Sequence, residues 1–293
     1  MPEVTVVLCV RNGAATLARQ LAALGAQDAH LDWELVLVDN GSTDASVEIA
    51  ERFRSHVPAL RVVTEPEAGT NRARNRGVRE ARGELVLCCD ADDEVAPAWL
   101  AAMARGLREF DVVGGALEAE KLNRAHAPVA GVIQRDELPS VFGWSSVVGA
   151  SLGFRRRVFD EVGGFDTGFP LGSDEVDFVL RAQYAGATVG FVPDAVVHYR
   201  VKDTALGLMR QRFSYGRGHQ VLVDKHARAG FIESRTFQRW KVVGVSAANL
   251  ARRAPELAHS GTRLQYVASS AYLAGRVAEL LRELVAATRR APG

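Results

Sequence analysis

The 293 residues carry 36 Lys and Arg against 35 Asp and Glu, a formal net charge of +1, with 47% hydrophobic and 24% charged side chains. This is the composition of one large globular domain or of a domain with an appendage, and it excludes the cationic surplus of a general nucleic-acid binder. Cys9, Cys88 and Cys89 each lie inside an apolar run with no CxxC pair, which excludes a disulfide framework and a thiolate zinc site. With no basic leader and no uninterrupted apolar stretch of about 18 residues, the expectation is a cytoplasmic chain without a membrane span.

Over the first hundred residues two periods alternate. "VTVVLCV" (4–10) is a continuous apolar run, as a strand covered on both faces requires. "AATLARQLAALGAQ" has helical spacing, "WELVLVDN" reads as strand and "ASVEIAERFRSH" as helix. "LRVVTE", "TNRARNRGVREAR", "GELVLCCD" and "PAWLAAMARGLREF" repeat the alternation, with Pro97 expected at the first helical position. Such βα alternation predicts a largely parallel sheet flanked by helices, with ligands beyond the carboxyl ends of its strands.

Further on, "DVVGGALEAE" is a strand that makes the sheet mixed, and 119–145 is irregular, as a functional loop or lid would be. "SSVVGASLGFRRRVFDEVGGFD" reads as strand, short helix and Gly-Gly turn. "SDEVDFVLRAQYAG" is a helix with Ser173 as its N-cap, and "TVGFVPDAVVHYR" supplies two short strands. From about 203 the pattern is helical to the end.

No GxGxxG follows the first strand, and neither a Gly-Lys-Ser/Thr tripeptide nor HExxH occurs, so a dinucleotide fold, a P-loop and a zincin are excluded. Three strand ends carry the polar residues instead: Val10-Arg11-Asn12-Gly13, Asp39-Asn40-Gly41 and Asp90-Ala91-Asp92. Carboxylates as close as Asp90, Asp92, Asp93 and Glu94 repel one another unless a cation offsets them. Hard oxygen donors at a strand tip suit Mg²⁺ or Mn²⁺ bridging a diphosphate. Asp39 is placed to accept from a base or ribose, with Gly41 in a tight turn and Thr43 or Asp44 capping the next helix. On the helix from Thr70, Arg72, Arg74 and Arg76 diverge, and Arg74 or Asn75 is expected to face a nucleotide.

Together "VTVVLCVRNGAATL", "LVLVDNGSTD", "GTNRARNRG" and "VLCCDADDEV" resemble the inverting family-2 glycosyltransferases of GT-A fold, over about residues 4–200. The resemblance implies a GT-A catalytic domain over 1–202, with a nucleotide-sugar half to about 115 and an acceptor half over 116–202, followed by a helical region over 203–293. It implies a divalent metal, Mn²⁺ or Mg²⁺, on Asp90 and Asp92, holding the diphosphate of a nucleotide sugar. A UDP-sugar is favoured, with GDP- and dTDP-sugars as alternatives. Val10, Arg11, Asn12, Asp39, Gly41, Arg74, Asn75, Asp90 and Ala91 then line the donor.

The family's acidic helix start stands here as Asp174-Glu175-Val176-Asp177, with Arg181 after it. Either Asp174 or Glu175 is the base that takes the proton of an acceptor hydroxyl. Asp177 and Arg181, four apart on one face, either simply pair with each other or support the substrate site. Some relatives carry a metal-binding histidine where this chain has His198, which reads as a ligand or as a structural histidine, and Trp144 reads as a platform for a sugar ring or as a core residue.

Residues 202–241 hold nine Lys/Arg and three Asp/Glu. With Arg210, Arg212 and Arg217 interleaved by Phe213 and Tyr215, this stretch suits peripheral contact with an anionic membrane or with a lipid-linked acceptor. The last helix has an apolar stripe for docking or for a homodimer. The expected activity is a single transfer to a small-molecule or lipid-linked acceptor in cell-envelope glycan or natural-product assembly. A nucleotidyltransferase and a catalytically inactive sugar-nucleotide-binding module are the alternatives; nucleic acid is not an expected partner.

Overall fold

Six of the seven residues of β1 (Val4–Val10) are buried, and every residue of β2 (Trp33–Asp39) is. Strands so apolar need cover on both faces. α1 (Leu17–Gly25), α2 (Ser46–Arg52), β3 (Arg61–Thr64), α3 (Thr70–Glu80), β4 (Leu85–Asp90), β5 (Glu94–Val95) and α4 (Trp99–Glu109) complete the alternating half. β6 (Val112–Glu118), the hairpin β7 (Ser140–Val141) and β8 (Trp144–Ser145), then β9 (Leu152–Arg155), α5 (Arg156–Val162), α6 (Asp174–Tyr184) and β10 (Val189–His198) follow. α7 (Ala205–Arg228), α8 (Thr236–Arg252) and α9 (Ser260–Arg290) end the chain. This computed structural model describes residues 1–57, 59–123, 134–169, 172–202, 204–232, 236–258 and 260–290.

The main sheet has the order β3-β2-β1-β4-β9-β6-β10-β5. β3, β2, β1 and β4 are mutually parallel, β9 runs antiparallel between β4 and β6, and β5 lies antiparallel on β10. It is the mixed, mainly parallel, helix-flanked sheet that the alternation predicts. Register does the positioning: Val10 pairs with Asp39 and Cys9 with Asp90, so three strand ends finish side by side.

One face buries Val4, Val6, Leu8 and Val10 under α1 and α4 through Leu17, Leu21, Leu24, Trp99 and Leu100. The other buries Val7, Val36 and Val38 under α3, α5 and α6, including Phe159 and Phe178. Gly77 lets α3 settle on the sheet, because a Cβ there would collide with Val7 and press on Val38. The three cysteines are free thiols in these layers. Burial pushes all three up in pKa, Cys88 to about 12, so they pack as small apolar groups.

Two local expectations are corrected. Pro97 precedes the cap residue Ala98 of α4 and so stands two positions before the first helical residue, Trp99. "TVGFVPDAVVHYR" is one strand, β10, whose register on β6 shifts between Val192 and Val196, where Pro193 has no N–H to give the ladder. Ser173, expected as the N-cap of α6, stands immediately before Asp174 with φ 64°.

The chain divides into two compact units. Residues 1–123, 134–167 and 175–200 belong to the first; 168–169, 172–174 and the chain from 201 belong to the second. In the second unit α7 and α9 pack at glycines. A Cβ on Gly216 would strike the Tyr272 carbonyl, and one on Gly275 the Phe213 carbonyl.

Candidate active site

The site grows from the polar residues that the register of β1, β2 and β4 brings to one edge. The loops after β1 and β2 are stitched together. Ser42 Oγ accepts from Asn12 N–H (3.0 Å), Asn12 Oδ1 accepts from Thr43 N–H (2.8 Å), and Ser46 Oγ accepts from Gly13 N–H (2.9 Å). Asp44 accepts from Ala14 N–H and from the Ser46 hydroxyl, bonds that hold its carboxyl below the usual range, the Ser46 bond contributing most. It also accepts from Ser46 N–H at the start of α2, whose cap residue is Ala45, so Asp44 is a loop clasp and not the expected cap.

Asp39, at the tip of β2, is 6% exposed and accepts from Ser42 N–H (3.0 Å). Asn40 organises the strand-to-helix connection beyond it, donating to the Glu65 and Glu67 carbonyls and accepting from Gly69 N–H. Gly41 sits at φ 76° with open space where a side chain would be, so conformation alone requires glycine there. Arg11 is exposed. Val10, expected to line the donor, has its side chain in the core. It is a 3%-exposed core residue whose carbonyl accepts from Asn40 N–H.

α3 sends its arginines outward and inward in turn. Arg72 and Arg76 pair at the surface with Glu67 and Glu80. Arg74 is 7% exposed, with its guanidinium 5.6 Å from the centre of the Phe165 ring and Nη2 3.8 Å from Asp90 Oδ1. Gly149 makes this possible, since any Cβ there would overlap the guanidinium.

Asn75, expected to face the nucleotide, is tied to the backbone of Phe165. It is 4% exposed, its Nδ2 donates to the Phe165 carbonyl (2.8 Å) and its Oδ1 accepts from Phe165 N–H (2.9 Å). Asn71 likewise donates to the Asp166 carbonyl (2.7 Å).

At the end of β4, ligand oxygens of Asp90, Asp92 and Asp93 lie within 4.8 Å of one another, a group that could hold a metal ion. Their turn is braced from two sides. Gln20, fully buried on α1, donates to the Asp90 carbonyl (2.9 Å) and accepts from Val95 N–H (3.0 Å). Beyond β10, Arg200 N–H donates to Asp93 Oδ1 (2.7 Å) and Arg200 Nε to the Asp92 carbonyl (2.8 Å). Asp93, Gln20 and Arg200 were not among the expected site residues. Asp93 was visible in the acid cluster, whereas Gln20 and Arg200 are 70 and more than 100 residues away from what they hold.

His198, expected on the metal, stands outside this group. Its Nδ1 lies 2.5 Å from Glu118 Oε2, a partner on the adjacent β6.

Residues 5–163 match the family described as Glycosyl transferase family 2, and residues 85–278 match Glycosyl transferase family group 2. The chain belongs to glycosyl transferase family 2. It is similar to the Haloferax volcanii glycosyltransferase AglE, 27% identical over 253 residues, which are 83% of this chain and 81% of AglE. It spans less than half the length of several other curated relatives.

Among solved structures it superposes on Pyrobaculum calidifontis mannosyltransferase PcManGT in complex with GDP-Man and Mn²⁺, at a TM-score of 0.67 and 21% identity. The match covers 95% of this chain and 87% of that one. Staphylococcus aureus TarS 1–349 in complex with UDP-GlcNAc superposes at 0.58 and 16%, covering 94% and 91%. At these identities the likeness establishes the GT-A fold, and the chain is a family-2 glycosyltransferase.

In this glycosyltransferase the acidic stretch opens α6. Asp174 is 4% exposed, and its Oδ1 accepts from Gly172 N–H (3.1 Å); Glu175 is half-buried. Asp177 and Arg181 form the i, i+4 pair that their spacing offers. Asp177 is fully buried and accepts from Arg181 Nε (2.8 Å). The guanidinium also donates to the Val162 and Gly164 carbonyls (2.6 and 2.8 Å). It therefore ties α6 to the turn just before Phe165, the residue that Asn75 holds. Trp144 is 40% exposed with its ring edge-on to Tyr184 at 5.4 Å, an accessible aromatic face on the β7–β8 hairpin. Part of the expected lid, 124–133, lies outside the described residues.

Proposed function

We propose that this chain transfers one glycosyl group from a nucleoside-diphosphate sugar to an acceptor hydroxyl, with inversion at the anomeric carbon. The clustered carboxylates of Asp90, Asp92 and Asp93, beside the inward guanidinium of Arg74, carry this reading. An all-oxygen donor set at close quarters fits Mg²⁺ or Mn²⁺. Asp90 and Asp92 would hold the ion, while Asp93 is engaged by Arg200 as a brace. When bound, such an ion offsets negative charge on a departing diphosphate.

Arg74 is placed to share that charge, with a fork that can take two phosphate oxygens. Asp39, buried at the neighbouring strand tip, is the acceptor for a base or ribose donor group. Glu175 is assigned as the base, because Asp174 is buried and accepts from Gly172 N–H, whereas Glu175 retains exposure. As the acceptor oxygen bonds to the anomeric carbon, its proton passes to Glu175. The bond from that carbon to the phosphate oxygen breaks, and its electrons leave with the diphosphate. Trp144 offers its exposed face to an acceptor ring.

The relatives support the donor class: one is named in complex with GDP-Man and Mn²⁺, another with UDP-GlcNAc. UDP-sugars are the first to test, with GDP- and dTDP-sugars beside them. The donor half is placed before about residue 115 and the acceptor half after it, with a small or lipid-linked acceptor in envelope glycan or natural-product assembly. A reducing, cytoplasmic setting suits the three free thiols. Among the described residues no helix is long and apolar enough to cross a membrane.

The deciding experiment is donor binding by calorimetry across that panel, with and without Mn²⁺, in wild type, Asp92→Ala and Glu175→Gln. Metal-dependent binding that Asp92→Ala loses and Glu175→Gln keeps, with transfer lost in both, is the expected result. Undiminished transfer in Glu175→Gln moves the base to Asp174. Equal donor affinity with and without metal overturns the metal assignment.

A further inference from the structure

α7 has one character along its C-terminal half and another along its N-terminal half. From Arg217 onward its polar side chains are engaged within the helical unit. Arg217 Nε donates to Glu279 Oε2 (3.0 Å), Arg276 Nη2 to Gln220 Oε1 (3.1 Å) and Gln220 Nε2 to Asp224 Oδ1 (3.0 Å). Towards the N-terminus, Leu206, Met209 and Phe213 are 55%, 39% and 37% exposed. Their i, i+3, i+7 spacing sets them in one stripe, and the exposed Arg210 falls on the same stripe one turn after Leu206. Residues 204–223 contain three arginines and no aspartate or glutamate.

Large apolar side chains gathered on one strip of surface mark a contact, and the charge around them selects its kind. A second copy of the chain is a poor occupant. A two-fold interface sets the same patch against itself, and residues 204–223 carry three arginines with no acid to pair them. A purely apolar partner would desolvate the same cations without pairing them. An anionic bilayer answers both demands. The boundary between headgroups and acyl chains takes Leu206, Met209 and Phe213, and the phosphodiester groups take the guanidinium. The helix is too polar to span a bilayer and is suited to lie in its surface.

We propose that the N-terminal half of α7 docks on the surface of an anionic membrane, with Leu206, Met209 and Phe213 inserted and Arg210 on lipid phosphate. The inference is independent of the transfer chemistry, because it rests on this helix alone.

The test is flotation of the full chain with large unilamellar vesicles of phosphatidylcholine, and with vesicles in which a third of the lipid is phosphatidylglycerol. The expected result is recovery with the anionic vesicles about 10-fold above the neutral ones, declining as salt is raised. L206S/M209S/F213S should abolish recovery, and R210E should remove the preference for anionic lipid. Melting temperatures within a few degrees of wild type are expected, since these side chains are exposed; the single F213S provides a milder variant should the triple unfold. Absence from anionic vesicles at low salt, or recovery unchanged by F213S and R210E, overturns the proposal. Self-association that the same substitutions dissolve, without flotation, overturns it in favour of a second copy.

Discussion

Asn75 and Phe165, 90 residues apart, exchange two hydrogen bonds in the buried layer beneath the sheet edge. The Phe165 ring stacks on Phe178 at 4.5 Å and lies under the Arg74 guanidinium. The Asn75 amide therefore sets the height of the platform on which Arg74 rests.

The Asn75–Phe165 lock predicts a stability effect where a nucleotide contact would predict a binding effect. Asn75→Ala leaves both the N–H and the C=O of Phe165 without their partner in a buried layer. At about 1–3 kcal/mol for each orphaned group, the expected loss is about 3 kcal/mol. Urea unfolding should show it as a lower midpoint at unchanged slope, with donor affinity of the folded variant close to wild type. The reverse pattern would return Asn75 to the donor site.

Arg74 depends on Gly149 as much as on Phe165. The methyl group of Gly149→Ala would overlap the guanidinium and turn it away from Asp90. Fold stability should hardly change, while donor affinity falls about 10-fold, the scale of one charge-assisted contact. Arg74→Lys should give a similar loss, because a point charge does not replace the planar fork. Calorimetric donor titration of both variants tests this.

The carboxylate turn at the end of β4 is held from outside, and its brace has a measurable value. Gln20→Met removes the side chain that takes Val95 N–H and gives to the Asp90 carbonyl, without changing a carboxylate. Loss of such an outer support typically weakens metal affinity by about 10-fold or more. Mn²⁺ titration followed by electron paramagnetic resonance should show that weakening, with Asp92→Ala as the larger effect.

These braces mark what the residue order could and could not disclose. β1 to α4, the turn at Asp39 and the carboxylate tip of β4 were legible because strand burial and helix period are local patterns, and β1 joins them by register. Gln20 and Arg200 were not, because a buried glutamine on a helix and an arginine after a strand acquire meaning only through the backbone groups opposite them. The two bonds of Asn75 were hidden for the same reason, because the Phe165 backbone that meets both its groups lies 90 residues further along the chain. Asp177 and Arg181 differ in degree. Their i, i+4 spacing announced the pair, but not the Val162 and Gly164 carbonyls that make it a clamp.

Acid should weaken the helical unit through His219. Burial, reinforced by the nearby positive charge of Arg276, lowers its pKa from 6.5 to about 4. Between those values the unfolded chain binds a proton that the folded one does not, so stability falls as pH falls from about 6.5 to 4 and is fully present above that window. The loss from this group is at most about 3 kcal/mol. His219→Gln, which cannot take the proton, should flatten thermal stability over this range relative to wild type. A slope that survives the substitution assigns the acid sensitivity to other groups.

The turn that delivers the acidic helix is wrapped on α7 at Gly172 and Tyr215. Gly172 has φ 99° and Ser173 φ 64°, and a Cβ on Gly172 would meet Tyr215 Cδ1 at 2.5 Å and Tyr215 Cα at 2.9 Å. The Gly172 N–H in turn donates to the carboxylate of Asp174. Gly172→Ala therefore meets two obstacles, a left-handed conformation costing about 1–2 kcal/mol and a backbone atom that cannot rotate away. Adding Tyr215→Ala removes the ring but neither obstacle, so the double variant should be as impaired as the single one. Because the turn precedes the proposed base, the expected change is a fall in kcat of about 10-fold or more with donor affinity preserved, by analogy with misplacement of a reacting group. Recovery of kcat in G172A/Y215A would instead make the aromatic ring the sole constraint. Weakened donor binding in G172A would show that this turn serves the donor and not the proton transfer.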